Sequence, residues 1–249
     1  MEARKQREKQ FHDVVFEEGT RWRVVDKYYA ISRSRERFYE HFLTSRCSGR
    51  RVLEYGCGQG SSAFQLAALG GQVTGIDISE TGIAHAREAA QAAGLAIDFQ
   101  MMDAERLEFP DGTFDLVCGT AILHHLDLRR SFAEVSRVMR PDGIAIFMEP
   151  LGHNPLINLY RRLTPRLRTP DEHPLTMDDL QFAKEVFTEL EIRAYHLLAL
   201  AAVPFRRWPS VFDPLLAALE RIDGWLFRLL PFSRRYAWYA VAILYKGNG

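Results

Sequence analysis

The chain predicts an α/β fold, a mostly parallel sheet with helices on both faces. Three observations carry this. Between residues 50 and 150, short β-rich runs alternate with segments of helical length. Gly56, Gly58 and Gly60 alternate between the first such strand and the first such helix. The second strand ends on a carboxylate, Asp77, at the edge where α/β folds bind ligands.

Each element has its own signal. Residues 1–45 read as a helical N-terminal cap, with aromatic and aliphatic residues at loosely helical intervals. "RVLEYG" is a strand, and "SSAFQLAALG" a helix with serines at its start and glycine at its end. "QVTGIDIS" is the second strand, and "ETGIAHAREAAQAAG" an alanine-rich helix stopped by Gly94. "IDFQMMDA" and "FDLVCGTAIL" are the third and fourth strands. "DLRRSFAEVSRVMR" is a helix ended by the turn signal "PDG", and "IAIFMEP" is the fifth strand. Beyond residue 150, "TMDDLQFAKEVF" is a helix with Thr176 as N-cap, and "ELEIRAYHLLAL" a sixth strand. "PSVFDPLLAALERIDGWLFRLLP" is an amphipathic helix with a break near Pro214, and "YAWYAVAILYKG" is a terminal strand. The expected organisation is a cap over 1–45, a cofactor-binding core over 46–150, and lid or substrate-recognition insertions with the last two strands over 151–249.

Composition narrows the function. The 249 residues are 47% hydrophobic and 26% charged, with formal net charge +0, so no basic surplus points to a nucleic acid. Cys47, Cys57 and Cys118 fit neither a zinc knuckle nor a redox pair, and their odd number suits a reducing compartment. No apolar stretch is long enough to span a bilayer, and the charged N-terminus is not a signal peptide, so the expected location is cytoplasmic. A monomer or homodimer is expected.

The glycine loop departs from the dinucleotide fingerprint, because Ser61 stands where the third glycine belongs. Glu54, two residues before Gly56, would attract an ammonium group and repel a diphosphate. Asp77 can accept hydrogen bonds from a ribose diol, Asp103 can accept from an adenine amine, and Met102 offers a polarisable apolar wall. These cues describe an adenosine with a charged amino-acid tail. Each residue alone has a plainer reading, as turn glycine, helix cap or turn cap.

"VLEYGCGQG", "VTGIDIS", "MDAERLEFPDGTFDLVCGTAILHHL" and "EVSRVMRPDGIAIFMEP" occur in this order. In these segments the sequence resembles the class I S-adenosylmethionine-dependent methyltransferases of the "methyltransferase 11" type. The resemblance covers residues 48–150 closely and the last strands loosely. It implies a Rossmann-like fold whose seven-stranded sheet has an antiparallel last strand, with S-adenosyl-L-methionine as cofactor and S-adenosyl-L-homocysteine as product. By the same resemblance Glu54, Gly56, Cys57 and Gly58 surround the methionine part. Asp77 binds the ribose, Ile78 and Met102 lie against the adenine, Asp103 and Ala104 meet its edge, and Gly119 and Thr120 line the sulfonium side.

Methyl transfer needs a base only when the acceptor must lose a proton. His124 and His125 follow the fourth strand and His153 the fifth, so these are the candidate catalytic residues, with His124 and His125 equally readable as loop-shaping. His173 reads as structural or as a substrate contact. No spacing matches a metal motif, so no metal is expected. Arg161, Arg162, Arg166 and Arg168 read as a solvated basic face or as an anion-recognition set. Tyr28, Tyr29, Asn154, Arg161, His153 and His173 are the candidate substrate residues. The apolar stripe over 210–230 packs on the core, closes a pocket as a lid, or touches a membrane surface. The resulting expectation is methylation of a small lipophilic or aromatic metabolite, O-methylation first. C- or N-methylation of a quinone-like, lipid-like or acidic metabolite, or a catalytically silent cofactor-binding subunit, stand as alternatives.

Overall fold

A computed structural model of the chain describes residues 2–18, 30–164 and 173–247. Its strands are β1 (Arg51–Tyr55), β2 (Gln72–Asp77), β3 (Asp98–Met101), β4 (Phe114–Thr120), β5 (Met139–Pro150), β6 (Glu189–Tyr195) and β7 (Tyr239–Tyr245). They form one seven-stranded sheet in the order β3-β2-β1-β4-β5-β7-β6. β1 pairs in parallel with β2 and β4, while β7 runs antiparallel to both β5 and β6. The strand order reverses between β1 and β4, which opens a crevice above the carboxyl ends of the strands.

Two-residue periodicity divides the core between the two faces of the sheet. Val52, Cys118, Ile146, Val241 and Ile243 point to one face. There they meet Tyr39, Phe42 and Leu43 of helix α2 (Arg33–Thr44). Leu53, Tyr55, Val117, Phe147, Ala240 and Leu244 point to the other. That face is covered by Phe132, Val135 and Val138, on a helix over Leu128–Val138. Burying each large side chain contributes about 1.5–3 kcal/mol. β4 and β7 are buried almost throughout, as central strands covered on both faces should be.

The helices start and stop where local chemistry says they should. The first, α1 (Glu2–Glu18), is strongly polar. α3 (Ala63–Ala68) and α4 (Glu80–Ala93) flank β2. Ser79 caps α4 by accepting from Gly82 N, and Gly94 ends it in the left-handed region. α5 (Leu128–Val138) is capped by Asp127. α6 (Pro155–Leu163) starts after Asn154, and α7 (Met177–Gln181) after a Thr176–Asp179 capping box.

Three expectations need correction. The sixth strand stops at Tyr195, because His196 takes a positive φ and residues 199–205 coil into 3₁₀ turns. The "PDG" turn lies within the span of β5, beside an irregularity in its pairing with β4. α8 (Pro209–Leu229) runs through Pro214 without a break. Pro214 sits so near the amino end that its missing N–H costs the helix one bond, to the first turn.

No described helix is long and apolar enough to cross a membrane.

Candidate functional site

A cavity of about 700 Å³ lies over the carboxyl ends of the strands, bordered by the loops after β1, β2, β3 and β4 and by α1. The loop after β1 turns sharply at Gly56, whose N–H and that of Cys57 both donate to Ile76 O at 2.9 and 2.8 Å. Gly56 (φ +73°) and Gly58 (φ +52°) occupy backbone conformations that L side chains rarely adopt. A Cβ on Gly56 would stand 2.6 Å from Ile122, and one on Gly58 2.9 Å from Phe16.

Asp77 ties the two loops together. Its Oδ2 accepts from Gly58 N and its Oδ1 from Ser79 N, each at 2.8 Å. A carboxylate offers about four lone-pair sites, so two remain for a ligand diol. Asp103 Oδ1 accepts from Glu105 N at 2.9 Å, and its Oδ2 pairs with Lys5 of α1. The Lys5 ammonium is held above its ordinary pKa despite burial, because bonds to Asp103 and Glu105 outweigh the desolvation.

Gly56, Cys57, Gly58, Asp77, Ile78, Met102, Asp103, Ala104 and Thr120 all border this cavity. Two other expected cofactor residues do not. Glu54 is buried beneath the loop, where Oε1 accepts from Ser61 Oγ and Ser62 N, and Oε2 from Ala63 N, at 2.7–3.0 Å. It anchors the amino end of α3, in place of a side-chain cap from Ser62. Burial raises the Glu54 pKa against these bonds. Gly119 lies in the packed sheet, where a Cβ would meet Tyr55 O at 2.8 Å.

The histidines separate. His125 borders the main cavity, and burial followed by the neighbouring His124 lowers its pKa. His124 is turned away, with Nδ1 2.8 Å from Glu149 Oε2. Glu149 Oε1 accepts from Ile122 N and Leu123 N at 2.8 Å, so this carboxylate fixes the turn after β4. Burial pushes the Glu149 carboxyl up to about 7, against those backbone bonds. His173 donates its N–H to His124 O and borders a smaller cavity of about 310 Å³ with His124 and His125. His153 is half-buried and borders neither of these cavities.

The expected substrate residues lie mostly elsewhere. Asn154 caps α6 through Leu156 N and Ile157 N and donates to Tyr236 O. Arg161 donates to Leu151 O and Asn158 Oδ1. Tyr28, Tyr29, Arg166 and Arg168 lie outside the described residues. The apolar stripe of α8 divides: Phe212 and Leu216 are buried and Leu215 and Leu219 pack on the core, while Ile222, Trp225 and Leu229 are exposed.

Several bordering residues escaped the sequence reading. Arg35 of α2 is 1% exposed, stacks 3.5 Å over the Tyr239 ring and borders the cavity with Tyr239 and Met148. α1 adds Lys5, Glu8, His12 and Phe16. Nothing in a polar helix marks which of its residues will meet a loop a hundred positions away.

The site fits an adenosyl group with an amino-acid tail. The glycine cradle gives the close approach, Asp77 keeps acceptor capacity, and the cavity volume is adequate for such a ligand. Comparison with known proteins agrees. Residues 53–147 match the family model described as a methyltransferase domain. The ubiquinone biosynthesis O-methyltransferase of Nitrosococcus oceani is 35% identical over 115 residues, which cover 45% of this chain and 48% of that protein. A probable S-adenosylmethionine-dependent methyltransferase of Mycolicibacterium smegmatis is 35% identical over 109 residues, covering 43% of this chain and 41% of that protein. These matches span no more than about half the length of either relative. Among solved structures, Haemonchus contortus phosphoethanolamine N-methyltransferase 2 in complex with S-adenosyl-L-methionine gives a TM-score of 0.64 at 20% identity, over 86% of this chain and 52% of that one. The [4+2]-cyclase SpnF gives 0.56 at 21% identity, over 84% and 79%.

Proposed function

We propose that the chain, whose residues 53–147 match a methyltransferase domain, works as a class I S-adenosylmethionine-dependent methyltransferase on a small-molecule acceptor, at oxygen in the first instance. The observation that carries the reading is the Asp77 carboxylate, locked between the glycine loop and Ser79 while still facing the cavity. Bound S-adenosylmethionine supplies an activated methyl group on a sulfonium. The protein then has to bind, align and exclude water. Gly56, Cys57 and Gly58 would hold the amino-acid tail, Asp77 the ribose, and Ile78, Met102, Asp103 and Ala104 the adenine. Thr120, at the end of β4, would stand on the side of the transferred group.

The acceptor would lie toward β5 and β7, where Met148 and Tyr239 border the cavity. Arg35 is buried there, with Glu36 Oε1 3.7 Å from its guanidinium. A guanidinium facing an apolar wall suits an acceptor with an apolar or aromatic body and an anionic group. Arg35 takes this role in preference to Arg161, because Arg35 borders the cavity and Arg161 does not. For O-methylation the acceptor hydroxyl would lie against the face formed by His125, His12 and Glu8, in preference to His153, and give up its proton to water. The relative named for ubiquinone biosynthesis supports oxygen as the acceptor atom. A second reading, cofactor binding without methyl transfer, is kept because a cyclase shares the fold. The chain is expected to work in the cytoplasm, without nucleic acid, as a monomer or homodimer. Exposed Trp225 and Leu229 of α8 would give it a peripheral membrane contact.

The test uses methyl-labelled S-adenosylmethionine and an extract of the native host, partitioned between organic and aqueous phases. Label should enter the organic phase with the wild-type protein and not with Asp77→Ala. Saturable S-adenosylhomocysteine binding with no label transferred into either phase would favour the silent subunit.

A further inference from the structure

Glu8 and His12 stand one turn apart on α1 and therefore share a face. That face meets His125, in the turn after β4. Glu8 Oε2 is 3.1 Å from His125 Nδ1 and 3.6 Å from His12 Nε2. One ligand atom from each of the three side chains lies within 4.8 Å of the others. The His12 and His125 rings meet edge to face, with centroids 5.4 Å apart.

The two Glu8 distances are close to those between donors around a single ion. Two donors bonded at about 2.0–2.1 Å to a tetrahedral centre stand about 3.3 Å apart. At 3.1 Å the Glu8–His125 pair is within hydrogen-bond reach, so alignment is what distinguishes the two cases. The His125 Nδ1–Glu8 Oε2 approach lacks that alignment, and Nδ1 has no hydrogen-bond partner among the described residues. Glu8 and His125 are buried and His12 is half-buried, so the cluster is largely shielded from water. Arg4 is directed to Glu105 and the His125 carbonyl, and Lys5 to Asp103 and Glu105.

We propose that Glu8, His12 and His125 bind one divalent transition-metal ion of the Zn²⁺ type, which two imidazoles and a carboxylate suit in charge and softness. The ion pins α1 to the turn after β4 and so closes the cavity that both border. Its remaining coordination position faces the cavity and takes water or an acceptor oxygen. The ion-binding claim stands by itself; only the acceptor contact rests on the methyltransferase reading.

The experiment titrates chelator-treated full-length protein with Zn²⁺ against a chromophoric chelator, and with Co²⁺ while recording visible absorption. S-adenosylhomocysteine binding is measured on the same samples. The expected result is one Zn²⁺ per chain and the intense bands of four-coordinate Co²⁺. Affinity should fall on the order of 100-fold or more in His12→Ala and Glu8→Gln, and stay unchanged in His41→Ala. Zn²⁺ should also slow proteolysis within α1 of the wild type. Absence of stoichiometric Zn²⁺ binding by the wild-type protein would overturn the proposal, as would binding indifferent to both His12→Ala and Glu8→Gln. Zn²⁺ binding without S-adenosylhomocysteine binding would support the ion site and overturn the functional reading instead.

Discussion

The two sides of the cavity are built by different means. On the β1–β2–β3 side the determining contacts are local: Asp77 bonds the loop after β1 and its own turn, and Asp103 bonds Glu105 N. On the β4–β5–β7 side the wall is assembled from distant parts of the chain, Arg35 near one end and Tyr239 near the other. A site made of turns and strand ends keeps its geometry under changes elsewhere. A site made by packing helices onto a sheet can change its ligand without disturbing the turns. This division suits a constant cofactor beside a variable acceptor.

Asp77→Ala acts on the β1–β2–β3 side alone. It removes two charge-assisted backbone bonds and the proposed ribose acceptor, so S-adenosylhomocysteine affinity should fall about 100-fold or more, from roughly 3 kcal/mol. Calorimetric titration checks it; an unchanged affinity would mean the cradle holds something else. Next, Arg35→Met should raise the KM for an anionic acceptor about 30-fold, roughly 2 kcal/mol, and leave S-adenosylhomocysteine affinity within about twofold. A matched fall in both affinities would show the two sides to be one unit.

Glu149 gives a smaller, pH-dependent effect at the boundary between the sides. Its carboxyl is raised by burial to about 7, above the ordinary 4.5. The folded state therefore binds the proton more tightly, and the contribution to stability is complete below about 4.5 and lost as pH rises toward 7. Glu149→Gln should remove this dependence, gaining on the wild type by on the order of 1–2 kcal/mol between pH 5 and pH 8. Urea unfolding at the two pH values measures the difference, and parallel curves would refute the assignment. The smallest expected effect is at the outer surface. Replacing Trp225 and Leu229 with Ser should weaken sedimentation with anionic vesicles a few-fold, leaving S-adenosylhomocysteine binding alone.

The local side was legible in the sequence because its chemistry is written in adjacent residues. Gly56, Gly58 and Asp77 are spaced by strand and turn lengths, and Thr176 and Gly94 announce their helix ends. Glu54 misled because a carboxylate before a glycine loop can serve the loop or the ligand, and only three-dimensional position decides. His153 and Asn154 follow a strand end, where sites are common, but Asn154 is consumed in capping α6. Arg35, Glu8 and His12 had no local signal at all. Their roles depend on how α1 and α2 pack across the sheet edge, and the amphipathic pattern of a helix does not encode that.

Titration of the purified protein with S-adenosylhomocysteine, with NADH in a parallel run, tests the cofactor assignment most directly. One saturable site for S-adenosylhomocysteine, none for NADH, and loss of the site in Asp77→Ala are the expected results. NADH binding without S-adenosylhomocysteine binding would contradict the assignment and return the glycine loop to dinucleotide chemistry.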